Sequence, residues 1–160
     1  MHKTILASIM GLALCVTAVA GDGQREYIGA AAGSVAATLP FSNGVRVGDT
    51  LYIAGHLGLD AETQMPPAGV EDEARLVMDG IKATVEAAGF TMNDLVSVTV
   101  FCPDLTLYEA FNRVYRTYFS GRFPARAFVG SGPLVRGARF EVLGTAVRTP
   151  APAAGHAAAH

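Results

Sequence analysis

Two charged side chains stand in stretches of this chain that otherwise predict buried strands. Arg126 lies within the run 123–129 (FPARAFV), and Glu141 lies within the run 140–147 (FEVLGTAV). Both runs are rich in β-branched, aromatic and small residues, which is typical of strands inside a sheet. A charge in such a setting is costly unless it has a partner or serves a ligand. The two residues therefore mark either a binding site or a buried salt bridge with each other.

The chemistry of the two side chains suggests what such a site would bind. The guanidinium of Arg126 is a flat fork of donors that matches a carboxylate with two hydrogen bonds. The carboxylate of Glu141 can orient or deprotonate a water molecule. Together they predict a small pocket for a carboxylate-bearing molecule that reacts with water.

The first twenty residues have the features of a secretory signal peptide. Lys3 precedes an uncharged and mostly apolar run, 5–20, which ends in small residues before the expected cleavage after Ala20. Cys15 raises the possibility of a lipoprotein signal, but Leu14 stands where such a signal needs a small residue. We therefore expect a periplasmic or secreted protein with no membrane attachment after cleavage.

Charge and cysteine content narrow the functional classes. Cleavage removes Lys3 and leaves 11 basic against 14 acidic residues, a net charge of −3 that argues against nucleic-acid binding. Cys102 is then the one remaining cysteine, expected to be buried and inert, and Lys82 is the one remaining lysine, expected on a solvated helix surface. No Cys/His cluster has metal-ligand spacing, so we expect neither a metal nor a cofactor.

The first half of the chain predicts a hairpin followed by a helix. Two short apolar runs flank Gly48-Asp49, a pair typical of a tight turn. From Val70 to Ala88 apolar residues recur every three or four positions, which is the period of a helix with one buried face. The acidic residues 71–73 suit its first turn, and Gly89 suits a left-handed cap at its end.

The second half predicts a strand, a second helix and two further strands. The strands cover about 95–102, 125–130 and 138–147, and Thr106 with Glu109 forms a capping box that would open the helix. This order predicts an α+β fold in which two helices cover one face of a single mixed sheet. The other face then needs cover, and we expect self-association through apolar strand residues, namely Val98, Val100, Phe140 and Val142.

Several short segments, taken in chain order, form a pattern known from one protein family. They are Pro40–Gly48, Tyr52–Gly55, Glu86–Gly89, Phe111–Tyr115, Phe123–Arg126, Phe140–Val142 and Ala146–Arg148. In this order and at these spacings the chain resembles the reactive-intermediate (Rid) deaminases, also called YjgF-like proteins and, earlier, L-PSP endoribonucleases.

The resemblance implies a fold, an assembly and domain boundaries. The fold would be chorismate-mutase-like (YjgF-like), and the assembly a homotrimer with sites in the clefts between subunits. Residues 39–148 would form the domain, after a signal peptide 1–20 and an N-terminal segment 21–38. The Ala- and Pro-rich tail 149–160 is expected to be disordered.

The resemblance also implies the hydrolysis of 2-imino acids to 2-keto acids and ammonia. Arg126 matches the family's arginine for the substrate carboxylate. Glu141 matches its acidic residue, which holds and polarises the attacking water. Asn112 and Gly55 match positions near the site, where either a structural role or a substrate contact is open.

Three positions of the predicted substrate site depart from the family's pattern. Phe41 stands where a tyrosine is usual, so a hydroxyl is missing. Phe128 is bulkier than the residues common there and is expected to reshape the pocket. His56 replaces a common glutamine and is either an additional site residue or a hydrogen-bonded structural residue.

Two other functions are compatible with the same residues. A non-catalytic protein would use Arg126 to capture a small carboxylate, such as a 2-keto acid. A ribonuclease is suggested by the family's older name, but the net charge of −3 and the lack of a histidine pair argue against it.

Overall fold

The computed structural model describes residues 24–29 and 39–148. The strands are β1 Arg25–Ile28, β2 Gly44–Val47, β3 Thr50–Leu57, β4 Leu95–Cys102, β5 Ala125–Gly130 and β6 Glu141–Val147, and the helices are α1 Val70–Ala87 and α2 Tyr108–Tyr115. The predicted α+β order of elements is confirmed. The predicted signal peptide and the predicted tail lie outside the described residues.

All six strands belong to one mixed sheet in the order β1-β2-β3-β6-β4-β5. Neighbouring strands are antiparallel except for β4 and β5, which are parallel. The predicted hairpin is β2–β3, and Gly48 takes a φ of +58° in its turn, a conformation that glycine adopts without steric cost. The topology places Arg126 on an edge strand and Glu141 on a central one.

Both helices lie on the same side of the sheet. Helix α1 packs on β3 and β6, and α2 packs on α1. The predicted apolar stripe of α1 is confirmed, because Ala74, Met78, Ile81 and Val85 are buried against the sheet. Gly89 follows with a φ of +76°, which confirms the left-handed cap.

Two predicted boundaries were wrong, and hydrogen bonding explains both. Thr106 does not open α2; its backbone N–H and its hydroxyl both donate to Asp104, which starts a short helical turn, Leu105–Leu107, before α2. Strand β6 begins at Glu141 and not at 138, because the N–H groups of Arg139 and Phe140 donate to the side chain of Glu73 instead of to a strand.

The residues expected on the uncovered face of the sheet lie instead under the helices. Val98, Val100, Phe140 and Val142 are all buried in the core. A shift of one residue exchanges the two faces of a strand, and the sequence pattern alone does not fix that register. The uncovered face carries the side chains that alternate with the core residues along each strand. They include Tyr52 (56% exposed), Val129 (39%) and Val147 (38%).

Candidate active site

Arg126 lies on the helix-covered side of β5, over a platform of aromatic rings. Its Nη2 donates a hydrogen bond of 2.7 Å to Oδ1 of the buried Asn112 on α2. Its guanidinium carbon is 4.5 Å from the centroid of the Tyr115 ring, which is a cation–π distance. Because arginine has five N–H donors, the guanidinium is held in place with most donors still available. Asn112 therefore positions Arg126.

An open pocket of about 240 Å³ surrounds this guanidinium. Its lining consists of Tyr108, Asn112, Tyr115, Arg116, Phe123, Pro124 and Arg126, and we call it the arginine pocket. The lining contains two cationic and no acidic side chains, so its charge favours an anionic ligand.

Phe128 is not part of the arginine pocket's lining. It packs edge-on against Tyr108, with ring centroids 5.0 Å apart, and against Phe111 at 5.6 Å. It thereby extends the aromatic support behind Arg126 instead of narrowing the pocket. A contact between Phe128 and substrate stays a prediction.

Tyr115 contributes to the arginine pocket in a way that the sequence did not indicate. Its aromatic spacing on α2 predicted only a core residue. In the structure its hydroxyl is buried and has no hydrogen-bond partner within the described ranges. Burial raises the pKa of Tyr115 to about 12, with the positive charge of Arg126 opposing that shift, so the phenol stays protonated.

Glu141 lies at the start of β6, where the backbone of β3 comes very close to it. A Cβ atom added to Gly55 would lie 2.1 Å from Oε1 of Glu141, so any other residue at position 55 would displace this carboxylate. The irregular pairing of β3 with β6 between Ile53 and His56 creates this approach. Gly55 is therefore required to place the carboxylate.

A second pocket of about 470 Å³ opens at this carboxylate. Its lining, which defines the glutamate pocket, is Leu39, Phe41, Ala54, Gly55, Leu57, Leu59, Gln64, Val135, Arg136 and Glu141. The walls are mostly apolar. Glu141 is the negatively charged side chain of this lining, and Arg136 is the positively charged one. Phe41 contributes an exposed ring to this lining and, as a phenylalanine, offers no hydroxyl there.

The alternative of a salt bridge between Arg126 and Glu141 was wrong. On β4, Arg126 pairs with Val98 and Glu141 pairs with Phe101, three residues further along. Because side chains alternate along a strand, an odd separation puts the two charges on opposite faces of the sheet. With strands about 4.8 Å apart and a rise of about 3.3 Å per residue, their Cα atoms are about 14 Å apart.

Among the described residues, an ion pair with a fully buried carboxylate forms elsewhere, between Glu73 and Arg139. Glu73 is fully buried and accepts hydrogen bonds from Nε of Arg139 and from the backbone N–H groups of Arg139 (2.6 Å) and Phe140 (3.1 Å). The Arg139 guanidinium also donates to carbonyls of the chain leading into α1, residues 67–69. This network fixes the backbone immediately before Glu141.

The sequence carries a signal for this pair. Glu73 is one of the three acidic residues 71–73, which suit a helix start. However, it stands three residues after Val70 and four before Val77, on the apolar face of α1. An acid at such a position predicts a buried partner.

His56 lies apart from both pockets, on the helix side of the sheet. Its Nδ1 is 2.8 Å from the carbonyl of Ala54, and its Nε2 is 2.9 Å from the hydroxyl of Thr84. Burial lowers the pKa of His56, which favours the neutral ring. Gly80 makes room for the ring, and the structural role is the one that the geometry supports.

Cys102 and Lys82 line neither the arginine pocket nor the glutamate pocket. Cys102 is buried at the end of β4, as predicted, and burial raises the pKa of its thiol. Lys82 is exposed beside Glu86, as predicted. Within residues 24–29 and 39–148, no three His, Cys, Asp or Glu side chains converge on a metal position, and no helix is long and apolar enough to span a membrane.

Comparison with known proteins gives consistent matches. The model of the family described as endoribonuclease L-PSP matches residues 32–148. The 2-iminobutanoate/2-iminopropanoate deaminase of the mouse (Mus musculus) is 39% identical over 116 residues, which cover 72% of this chain and 86% of that protein.

Two solved structures extend the match to three dimensions. RidA from the Antarctic bacterium Psychrobacter sp. is 35% identical with a TM-score of 0.65, covering 79% of this chain and 98% of that one. TdcF of E. coli with bound serine is 31% identical with a TM-score of 0.67, covering 77% and 94%. The chain therefore belongs to the endoribonuclease L-PSP family, which comprises the Rid and YjgF-like proteins.

Proposed function

We propose that this protein hydrolyses reactive 2-imino acids to 2-keto acids and ammonia. The observation that carries the proposal is the placement of Arg126, held by Asn112 and Tyr115 with free donors in a cationic pocket. A planar guanidinium binds a carboxylate through two parallel hydrogen bonds. The name of the mouse relative and the serine bound to E. coli TdcF, a small carboxylate-bearing molecule, support the substrate class.

Arg126 has the geometry to orient the substrate. Two parallel hydrogen bonds to the α-carboxylate would fix the plane of the adjacent imine, because the carboxylate carbon is bonded to the imine carbon. Such orientation converts the encounter with water into an effectively unimolecular step. Cation–π contacts with the rings of Tyr108 and Tyr115 restrict the movement of the guanidinium.

Glu141 supplies the base for the addition of water. As the water oxygen bonds to the imine carbon, its proton passes to Glu141, and the π electrons of the C=N bond move to nitrogen. Glu141 then returns the proton to that nitrogen. In the resulting tetrahedral intermediate, Glu141 takes the proton of the new hydroxyl group and passes it to the amino nitrogen, so that the C–N bond breaks, ammonia leaves and the oxygen forms the carbonyl of the 2-keto acid. One water is consumed, and no cofactor takes part.

A homotrimer would unite the two halves of this site. Arg126 and Glu141 lie on opposite faces of one chain's sheet, so one ligand would meet both only if each came from a different subunit. The exposed apolar residues of the uncovered face, such as Tyr52 and Val147, supply a surface for that contact. We propose that Arg126 of one subunit faces the partner subunit's Glu141 in each cleft.

A carboxylate-binding protein without catalysis is the second candidate. The arginine pocket is complete within one chain and does not include Glu141, so it would serve ligand capture by itself. Ribonuclease activity has less support, because Arg113 already pairs with Glu71 at 2.8 Å.

Export to the periplasm or the medium is also proposed. It rests on Lys3 and the apolar run 5–20. Mass spectrometry of the protein purified from the exported fraction should give a chain that begins at Gly21. A chain that still carries residue 1 would contradict export by cleavage.

The proposed reaction is tested with 2-iminopropanoate generated freshly in the assay. We expect release of ammonia and pyruvate well above the spontaneous rate. Arg126→Ala should abolish this release, whereas Arg75→Ala, a control in an exposed ion pair with Glu71, should leave it unchanged. Tight binding of pyruvate without any acceleration would favour the binding protein.

A further inference from the structure

The glutamate pocket contains a strained pair of residues that the reaction above does not use. Within the described ranges, Gln64 (φ +57°) and Arg136 (φ +58°) are the two non-glycine residues with a left-handed backbone, and both line this pocket. Nη1 of Arg136 donates a 3.0 Å hydrogen bond to the carbonyl of Gln64, so the two strained residues stabilise each other. Backbone strain of this kind is concentrated at functional sites, where the surrounding structure maintains it.

The positive charge of Arg136, which lines the glutamate pocket, is not paired with an acidic side chain. Within 24–29 and 39–148, neither Arg136 nor Glu141 forms an ion pair. Arg136 uses one of its five N–H donors on Gln64 and retains the others. It is the one cationic side chain in a lining that otherwise consists of apolar groups, Gln64 and Glu141. Such a guanidinium is available for a second anionic group.

The volume of the pocket agrees with a substrate that extends beyond the imine. The glutamate pocket measures about 470 Å³, within the roughly 300–1,000 Å³ typical of small-molecule sites. A substrate with a methyl or ethyl side chain would leave most of this volume empty. A side chain that ends in a carboxylate would reach toward the pocket wall, where Arg136 lies.

We propose that Arg136 binds a carboxylate on the side chain of the substrate, so that this enzyme prefers 2-imino acids with acidic side chains, such as 2-iminosuccinate and 2-iminoglutarate. The proposal rests on the proposed function, because it assigns the α-carboxylate to Arg126 and the attacking water to Glu141. The corresponding products are dicarboxylic 2-keto acids.

Binding of stable keto acids tests this assignment without turnover. Calorimetry on the native protein should give tighter binding of 2-oxoglutarate than of 2-oxobutanoate. In Arg136→Asn, where asparagine tolerates the left-handed backbone, the ratio of the two affinities should fall about 10- to 100-fold, the usual strength of a charge-assisted contact. Arg136→Lys should retain part of the preference, and the control Arg75→Asn should retain all of it.

Turnover separates failure of this inference from failure of the proposed reaction. The ratio of kcat/KM for 2-iminoglutarate over 2-iminobutanoate should fall with the affinity ratio in Arg136→Asn. Equal losses on both substrates, or a native protein without a preference, would overturn the role of Arg136 and leave the deaminase intact. Acceleration of neither imine, with the affinity ratio still dependent on Arg136, would overturn the hydrolysis and retain the recognition of the second carboxylate.

Discussion

The arginine pocket and the glutamate pocket are built in different ways. In the arginine pocket, side chains hold a side chain, because Asn112 and the Tyr115 ring fix Arg126. In the glutamate pocket the backbone dominates, because Gly55 brings β3 against Glu141 and Glu73 binds the N–H groups just before it. The difference agrees with the proposed roles, in which Arg126 binds the substrate carboxylate and Glu141 acts on the water.

We expect the largest effect on activity when the base is removed from the glutamate pocket. Glu141→Gln should lower kcat about 10²- to 10⁴-fold, the usual contribution of a general base. Binding of pyruvate should persist, because the arginine pocket is unchanged. Steady-state kinetics and calorimetry on the same variant measure the two effects. An unchanged kcat would reduce Glu141 to a structural residue.

Breaking the buried ion pair should damage the glutamate pocket through its backbone. Glu73→Gln leaves Arg139 without its partner, and we expect the free energy of unfolding to fall by about 3 kcal/mol in urea denaturation. The control is Glu71→Gln in the same helical turn, which loses exposed ion pairs and should cost less than about 1 kcal/mol. Equal costs for both would show that the Glu73 network does not anchor β6.

Because Gly55 lies so close to Glu141, a substitution at position 55 tests how strongly activity depends on the position of the Glu141 carboxylate. In Gly55→Ala the added methyl group would displace Glu141, and kcat should fall roughly 10- to 100-fold, as is usual when a catalytic group is misplaced by about 1 Å. Gly132→Ala is the matched control, because a Cβ atom there meets nothing within 4 Å. Equal activity of the two variants would refute the requirement for glycine.

The smallest predicted effect concerns His56 and stability. Its pKa is lowered in the folded state, so the unfolded chain takes up the proton first as the pH falls below about 6.5. The stabilisation from the neutral ring is therefore complete above that pH and is lost below it. In His56→Gln, the difference in unfolding free energy between about pH 8 and about pH 5 should shrink. An undiminished difference would assign the pH dependence to other groups.

The sequence predicted those features that local patterns encode. The hairpin at Gly48 and helix α1 with its cap at Gly89 follow from short-range signals, and the structure confirms them. Arg126 and Glu141 were recognisable as charges within strand patterns. Their separation onto opposite faces was not, because it depends on the pairing of both strands with β4.

Long-range contacts account for what the sequence missed. Glu73 and Arg139 are 66 positions apart, and only the packing of α1 beside the start of β6 brings them together. The contact between Gly55 and Glu141 depends on an irregularity in strand pairing, and the periodicity of the sequence does not predict such an irregularity. The positive φ of Arg136 belongs to a non-glycine residue and therefore carries no sequence signal.

A subunit-mixing experiment tests the central claim, that one site takes Arg126 from one subunit and Glu141 from another. Arg126→Ala and Glu141→Gln chains, each inactive alone, are unfolded together in equal amounts and refolded. In a cyclic assembly about a quarter of the clefts would then receive both native residues. We predict about a quarter of the native activity against 2-iminopropanoate. Activity no higher than that of the separate variants would contradict the shared site.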